Sequence, residues 1–190
     1  MTPFELFDRW FQEAVQAGQP QPEAMALATA AADGTPSVRM VLFKSWSPAG
    51  VDFYTNLESR KGRELEANPR AAVTVHWSLT RHQVRAAGTV VRLSSRESAV
   101  YWATRSRESQ AAATASAQSR PIASRQALVA AQREVLEAHR DLPIPLPAHW
   151  GGYRLSPDWV EFWEGRPDRL HERRLFTRAG AGWREELLAP

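Results

Sequence analysis

The residues of this chain best suited to chemistry are cations set where they could hold an anion. In Val160–Arg173, VEFWEGRPDRLHER, a strand-like run carrying Phe162 and Trp163 turns through Gly165 and Pro167. The chain then re-enters with Arg169, His171 and Arg173 at alternate positions. Side chains two apart share a face of extended backbone, so the spacing predicts two guanidiniums and an imidazole projecting together, with Leu170 turned away. A solvated edge strand would carry the same pattern. A second group, Ser59-Arg60-Lys61, opens a predicted helix that Pro69 ends. Ser59 suits the N-cap, and two cations in a first turn oppose the helix dipole unless an anion sits on the free N–H groups there. A third group spaces Tyr101, Arg105 and Ser109 four apart, one polar face if a single helix runs through all three. By itself that face is also what an ordinary solvent-facing helix shows.

Lys44 and Lys61 are the only lysines, every other Lys/Arg position being arginine. Arginine presents a planar fork that matches phosphate and carboxylate, whereas lysine acts as a point charge, so the placement of two lone lysines beside other cations is informative. The run Val38–Phe43 has Arg39 at one end and Lys44 just past the other. Their parity differs, which puts them on opposite faces of a regular strand unless a bulge intervenes.

These groups need a scaffold, and the hydrophobic pattern predicts one. Thr2-Pro3-Phe4-Glu5 reads as a capping box, and Phe4, Phe7, Trp10, Phe11 and Val15 follow at helical spacing. Strands are then predicted over 24–30, 37–45, 51–56, 71–77 and 82–93, with Asp33-Gly34 as a hairpin turn and Gly88 as a bulge or close approach. Ser94 and Glu97 form a second capping box. Residues 111–119, AAATASAQS, suit either a loop or a helix packed closely on another subunit. A helix over 125–140 turns Leu128, Val129, Ala131, Val135 and Leu136 toward the core, and Pro143, Pro145 and Pro147 carry the chain onward. Strands at 153–155, 160–163, 170–177 and 183–188 finish the molecule. The order predicts an α+β protein on a Greek-key-like closed barrel with helices outside it.

With 190 residues, no repeat and no linker, residues 1–190 are expected to form one domain. The balance is near neutral at +3, and 43% of residues are hydrophobic. No apolar run is long enough to span a bilayer, and the first residues lack a secretory profile. The absence of cysteine excludes disulfides and thiolate metal sites, and a cytoplasmic location is expected.

The motifs RMVLFK (39–44), FYTNLESRKGRELEANPRA (53–71), HQVR (82–85), YWATRSRESQ (101–110), QS (118–119) and WGGYRLSPDWVEFWEGRPDRLHER (150–173) together make the chain resemble the pyridoxamine 5′-phosphate oxidase family over nearly its whole length. The resemblance implies a split β-barrel homodimer with FMN at the subunit interface. It implies oxidation of pyridoxamine or pyridoxine 5′-phosphate at C4′ by hydride transfer to the flavin. Dioxygen is then the final acceptor, with peroxide formed and ammonia released from the amine. On it, FMN would be contacted by Arg39, Met40, Val41, Leu42, Phe43, Lys44, Tyr54, Thr55, Arg60, Lys61, Gln83, Gln118, Ser119, Trp163 and Arg173. The substrate would be held by Lys44, Tyr101, Arg105, Ser109, Arg169, Leu170 and His171. Arg169 and His171 would face the reacting ring, His171 as a candidate proton acceptor. No metal, nucleic acid or membrane partner is implied. The family's N-terminal arm over the substrate has no counterpart before the first helix, and His82 stands where arginine is expected.

Three other readings fit parts of the same pattern. A flavin oxidase of the same barrel, like the phenazine-pathway relatives, would lack much of the phosphate clamp. A basic barrel binding single-stranded nucleic acid would need a cationic stripe interleaved with aromatics, whereas these cations fall in discrete clusters. A flavin-binding protein without turnover would bind the cofactor but leave substrate unchanged.

Overall fold

The computed structural model describes residues 1–190. Helix α1 (Pro3–Gln16) is followed by strands β1 (Ala24–Ala30), β2 (Pro36–Ser47) and β3 (Gly50–Asn56), then α2 (Arg60–Ala67), β4 (Arg70–Trp77) and β5 (His82–Arg92). Three helices come next, α3 (Ser95–Ala103), α4 (Arg107–Ala115) and α5 (Arg125–Ala138), before β6 (Trp150–Glu164), β7 (Glu172–Ala179) and β8 (Gly182–Leu187).

All strand pairs are antiparallel, in the order β3-β2-β1-β4-β5-β6-β7-β8, and a further β3–β6 pairing closes β1 to β6 into a barrel. Strand β6 makes the closure possible by forking. Its first residues, 150–155, pair with β3, while 159–164 pair with β7 and leave β7 and β8 outside the closed ring. The fold class is therefore the split antiparallel barrel with external helices that the element order predicts.

The barrel interior is filled by the alternate residues of its strands, among them Met25, Leu27, Val73, Val75, Val84, Leu155 and Phe162, all essentially sealed from solvent. Helix α1 lays its aromatic stripe across this core. Phe7 stacks on Trp46 at 3.8 Å and meets Phe43 edge-on at 5.4 Å, while Trp10 stacks on His82 at 3.9 Å. Both predicted capping boxes, Thr2/Glu5 and Ser94/Glu97, are formed.

Three departures from the expected elements have local causes. First, β6 is one strand where two are expected, because the break at Pro157 is absorbed by a bulge. Pro157 has no N–H to donate, and the partner strand shifts register between Ala87 and Gly88. A Cβ at Gly88 would lie 1.9 Å from the Ser156 carbonyl oxygen, so only glycine fits. Second, the helix expected through Tyr101, Arg105 and Ser109 is two helices. The hydroxyl of Ser106 accepts from the Ser109 N–H (3.2 Å) and starts α4 afresh. Third, strand β7 begins at Glu172, and residues 165–171 form a turn instead of an alternating strand. Asp168 accepts from the Leu170 N–H at 3.0 Å, and Arg169 takes the left-handed conformation (φ 67°). Leu170 consequently points outward, 69% exposed, rather than away from a cationic face into the core.

The 111–119 segment resolves as helix to Ala115 and loop beyond. Helix α5 forms as expected, but none of its residues is buried; its apolar stripe is half-covered, with Val135 and Leu136 against the small cluster of Trp102, Ala111, Ile144 and Trp150. No helix is long and apolar enough to cross a membrane.

Candidate active site

On the flank of the barrel, between β2, β3, the α3–α4 corner and α5, lies a cavity of about 820 Å³. The bulge in β2 shapes it. Pairing with β3 shifts register between Phe43 and Ser45, so Phe43 and Trp46 both turn into the core while Lys44 stays on the outer face with Met40. Met40, Val41, Leu42 and Lys44 line the cavity, as do Tyr54 and Thr55 at the end of β3 and Lys61 at the start of α2. Arg39 lies on the opposite face of β2, which settles the parity question: Arg39 and Lys44 do not converge.

Tyr101, Arg105 and Ser109 reach this cavity despite the broken helix, because the corner at 104–106 turns the chain between α3 and α4 and leaves all three side chains lining the same space. Tyr101 stacks on Tyr54 at 4.1 Å, with Lys44 Nζ 6.0 Å from its ring centre. The Arg105 guanidinium lies over Trp150 at 4.9 Å and donates to the Ser109 carbonyl at 2.9 Å. Its Nε is buried with no partner in the chain, and burial lowers its pKa. Lys61 donates to Gln118 (2.8 Å), Thr55 (3.1 Å) and Ser59 (3.3 Å). Burial, reinforced by Arg39 and opposed by Glu64, brings the Lys61 pKa down to about 8. Lys44, Lys61, Arg105 and Arg125 thus face one cavity that no carboxylate lines. Such a space, walled on one side by stacked aromatics, suits an aromatic molecule carrying phosphate.

Other predicted residues lie elsewhere on the chain. Phe43 is in the core. Ser119 is exposed with φ 69°, one residue beyond Gln118. Arg39 and Arg60 both bond to Glu64, at 3.1 and 2.8 Å, instead of lining the cavity. Gln83, Trp163, His171 and Arg173 gather around the far end of β6. Gln83 is cross-strand from Trp163, whose ring is 4.7 Å from His171. Arg173 Nε donates to Glu161 at 3.0 Å and its Nη1 to the Ala189 carbonyl at 2.8 Å. Although burial alone would raise the Glu161 pKa, its hydrogen bonds to Arg173 and Arg85 hold it below the usual range. His171 and Arg173 do not share a strand face with Arg169; Leu170, His171 and Arg173 instead border a separate cleft with Leu187 and Leu188. His171 Nδ1 accepts the Arg166 N–H at 3.1 Å, so the neutral ring carries its proton on Nε2 and presents a donor.

Several cavity residues were not anticipated. Asn56, bonded to the Ser116 carbonyl at 3.1 Å, and Trp150 both stand inside quoted motifs. Leu128 and Val129, which periodicity points at the core, come from α5, as does Gln132. The buried carboxylates behind the arginines were missed as well: Glu64 stands four residues after Arg60, a helical-pair spacing that could have flagged it, whereas Glu161 is a lone acid amid apolar neighbours.

A split barrel flanked by a cationic, aromatic-walled cavity defines the class of pyridoxamine 5′-phosphate oxidase-like folds. A protein of this type from Nostoc punctiforme, described as pyridoxamine 5′-phosphate oxidase-related and FMN binding, superposes with TM-score 0.82 at 20% identity, over 100% of this chain and 99% of that one. Residues 11–139 match the family model for pyridoxamine 5′-phosphate oxidase, and residues 150–190 match that for the pyridoxine 5′-phosphate oxidase C-terminal dimerisation region. The chain belongs to the pyridoxamine 5′-phosphate oxidase family of oxidoreductases. It is 51% identical to the pyridoxine/pyridoxamine 5′-phosphate oxidase of Paraburkholderia phymatum, covering 100% of this chain and 89% of that one. It is 49% identical to the enzyme of the same name from Rubrobacter xylanophilus, covering 99% and 87%. It is also similar to PhzG of Burkholderia lata, solved in complex with tetrahydrophenazine-1-carboxylic acid, with TM-score 0.94 and 38% identity over 100% of this chain and 93% of that one.

Proposed function

We propose that this chain is an FMN-dependent oxidase that converts pyridoxamine or pyridoxine 5′-phosphate to pyridoxal 5′-phosphate, working as a homodimer. The observation that carries the reading is the acid-free cavity in which Lys44, Tyr101, Arg105 and Ser109 stand together, with the buried Arg105 Nε lacking a partner. A substrate phosphate would find a charge-assisted donor set there, and the stacked Tyr54, Tyr101 and Trp150 border the same space. Fixing the phosphate turns remote binding energy into orientation at C4′.

The neighbouring Thr55, Lys61 and Gln118 suit a second phosphate, that of FMN, and Met40, Val41 and Leu42 offer an apolar edge to its ring. FMN, when bound, would supply the two-electron chemistry: with O2 as acceptor, the alcohol gives aldehyde and H2O2, and the amine, with one water, gives aldehyde, NH3 and H2O2. The residues around Gln83, Trp163, Arg169, His171 and Arg173 would complete the site from the partner subunit. Their separation from the cavity within one chain and the match to a dimerisation region support that assignment. His171, presenting Nε2–H, would serve as a hydrogen-bond donor to the substrate rather than as a base.

A second reading, a flavin oxidase acting on a phenazine-type substrate, is favoured by the likeness to PhzG and by the aliphatic pair Leu128 and Val129 in the cavity wall. One measurement separates the two. Pyridoxamine 5′-phosphate added without oxygen should bleach the visible flavin band of the purified protein. A colourless protein would refute both readings, and a coloured one that ignores this substrate would refute the first.

A further inference from the structure

The carboxylate of Glu64, on α2, is only 6% exposed and carries no substrate or cofactor role in the reading above. Its Oε2 accepts from Thr29 Oγ1 (2.5 Å), Ser37 Oγ (2.6 Å) and Arg39 Nη2 (3.1 Å), and its Oε1 accepts from Arg60 Nε (2.8 Å). Arg39 is further tied to Thr29, Ser37 and the Leu27 carbonyl, so it is wholly committed to this network. Arg60 is not. Its Nη groups have no partner in the chain, and its side chain is 57% exposed beside the N-terminus of α2. Next along the helix, Lys61 lies buried in the cavity wall. Three cations therefore crowd one helix start, and Glu64 is the acid bonded among them.

Lys61 faces Arg39 from β2 and Glu64 from its own helix, with Arg60 its neighbour along the chain; Thr55 and Gln118, its direct partners, are neutral, and Lys44, Arg105 and Arg125 share its cavity. Every nearby charge except Glu64 opposes the ammonium.

We propose that Glu64 is a positioning residue for the cofactor phosphate: without touching the anion, it fixes the Arg60 fork and supplies the counter-charge that keeps the buried Lys61 a cation. A bare carboxylate beside an anion site would repel the ligand. This one is saturated by donors, so its field falls on Arg60, whose Nη groups are free, and on Lys61.

The inference rests on the FMN reading, and comparing two ligands keeps the failures apart. The full chain, freed of flavin, is titrated with FMN and with riboflavin, which lacks the phosphate, across pH 6 to about 10. The unaltered protein should prefer FMN, and the preference should fall as pH rises through about 8, where Lys61 loses its proton. Glu64→Gln should cut that preference by about tenfold or more, shift its loss to lower pH, and leave riboflavin affinity unchanged. Glu64→Asp keeps the charge but shortens the reach; it should lose part of the preference with the pH midpoint in place. Equal or tighter FMN binding by Glu64→Gln, or parallel loss of both ligands, overturns the proposal. Should Glu64→Gln fail to fold, a full FMN preference in Glu64→Asp overturns it equally. If the unaltered protein binds the two ligands alike, the cofactor reading falls first and the inference with it.

Discussion

Arg105 shows how a single side chain can be legible in type and yet misread in setting. Spacing groups it with Tyr101 and Ser109, and the three do share a cavity, but by way of a corner capped by Ser106 rather than along one helix. The capping hydroxyl stands three residues before Ser109, a signal present in the sequence and outweighed by the expectation of continuity. Arg105→Gln should raise KM for the phosphorylated substrate by about tenfold to a hundredfold, the loss of a charged hydrogen bond, with flavin content unchanged. Steady-state kinetics on the coloured protein check this. His171 shows the reverse case. Its type was informative, but its tautomer is fixed by the Arg166 N–H, which alternation cannot reveal. His171→Asn should retain flavin and lower turnover by about a hundredfold, as for loss of a well-placed donor. Rescue of turnover at high pH by added imidazole base would argue for a proton acceptor instead.

Helix α2 is the element on which most of the charge logic converges. Ser59 caps it as the sequence predicts, whereas the anion expected to offset its first-turn cations has a counterpart within the protein, the Glu64 carboxylate four residues after Arg60. Burial pushes the Glu64 pKa up, but hydrogen bonds from Ser37, Thr29, Arg60 and Arg39 outweigh it and bring it down to about 2. Since the folded value lies below the ordinary 4.5, its stabilising contribution is full above about pH 4.5 and is lost as pH falls toward 2. Thermal melts should therefore show a gap between the unaltered chain and Glu64→Gln that narrows over that range; a gap independent of pH would contradict the assignment. The bulge at Gly88 was legible because a mid-strand glycine is a local sign, whereas the bulge beside Lys44 was not: the parity of Arg39 and Lys44 left both outcomes open, and the two lie on opposite faces. The turn through Gly165 and Pro167 was legible as well, but its extension to 171 was not, since the Asp168 side chain overrides an alternation that reads convincingly on its own. Nor was the placing of α5 over the cavity, which depends on how α4 and α5 pack and leaves no mark on periodicity.

At the scale of the whole molecule, the fold class followed from the order of elements, but the sorting of the site into two groups did not, because sequence spacing carries no information about which groups meet within a chain. If each site draws one group from each subunit, two impaired variants should complement one another when assayed at low substrate concentration. Mixing Arg105→Gln and His171→Asn chains under conditions that exchange subunits should restore about a quarter of the sites, since only mixed dimers hold one intact pair. No recovery after verified exchange would place both groups in the same subunit. Strand β6 gives this a geometric basis. Trp150 at its start borders the cavity, and Trp163 near its end accompanies His171. The intervening strand spans roughly 40 Å at about 3.3 Å per residue, less whatever its bulge and coiling remove. If the two groups serve one site, a beam of that length is a spacer that no rotamer change can shorten, and the site would need a second subunit to complete it. Specific activity should then depend on protein concentration, collapsing on dilution and returning on reconcentration.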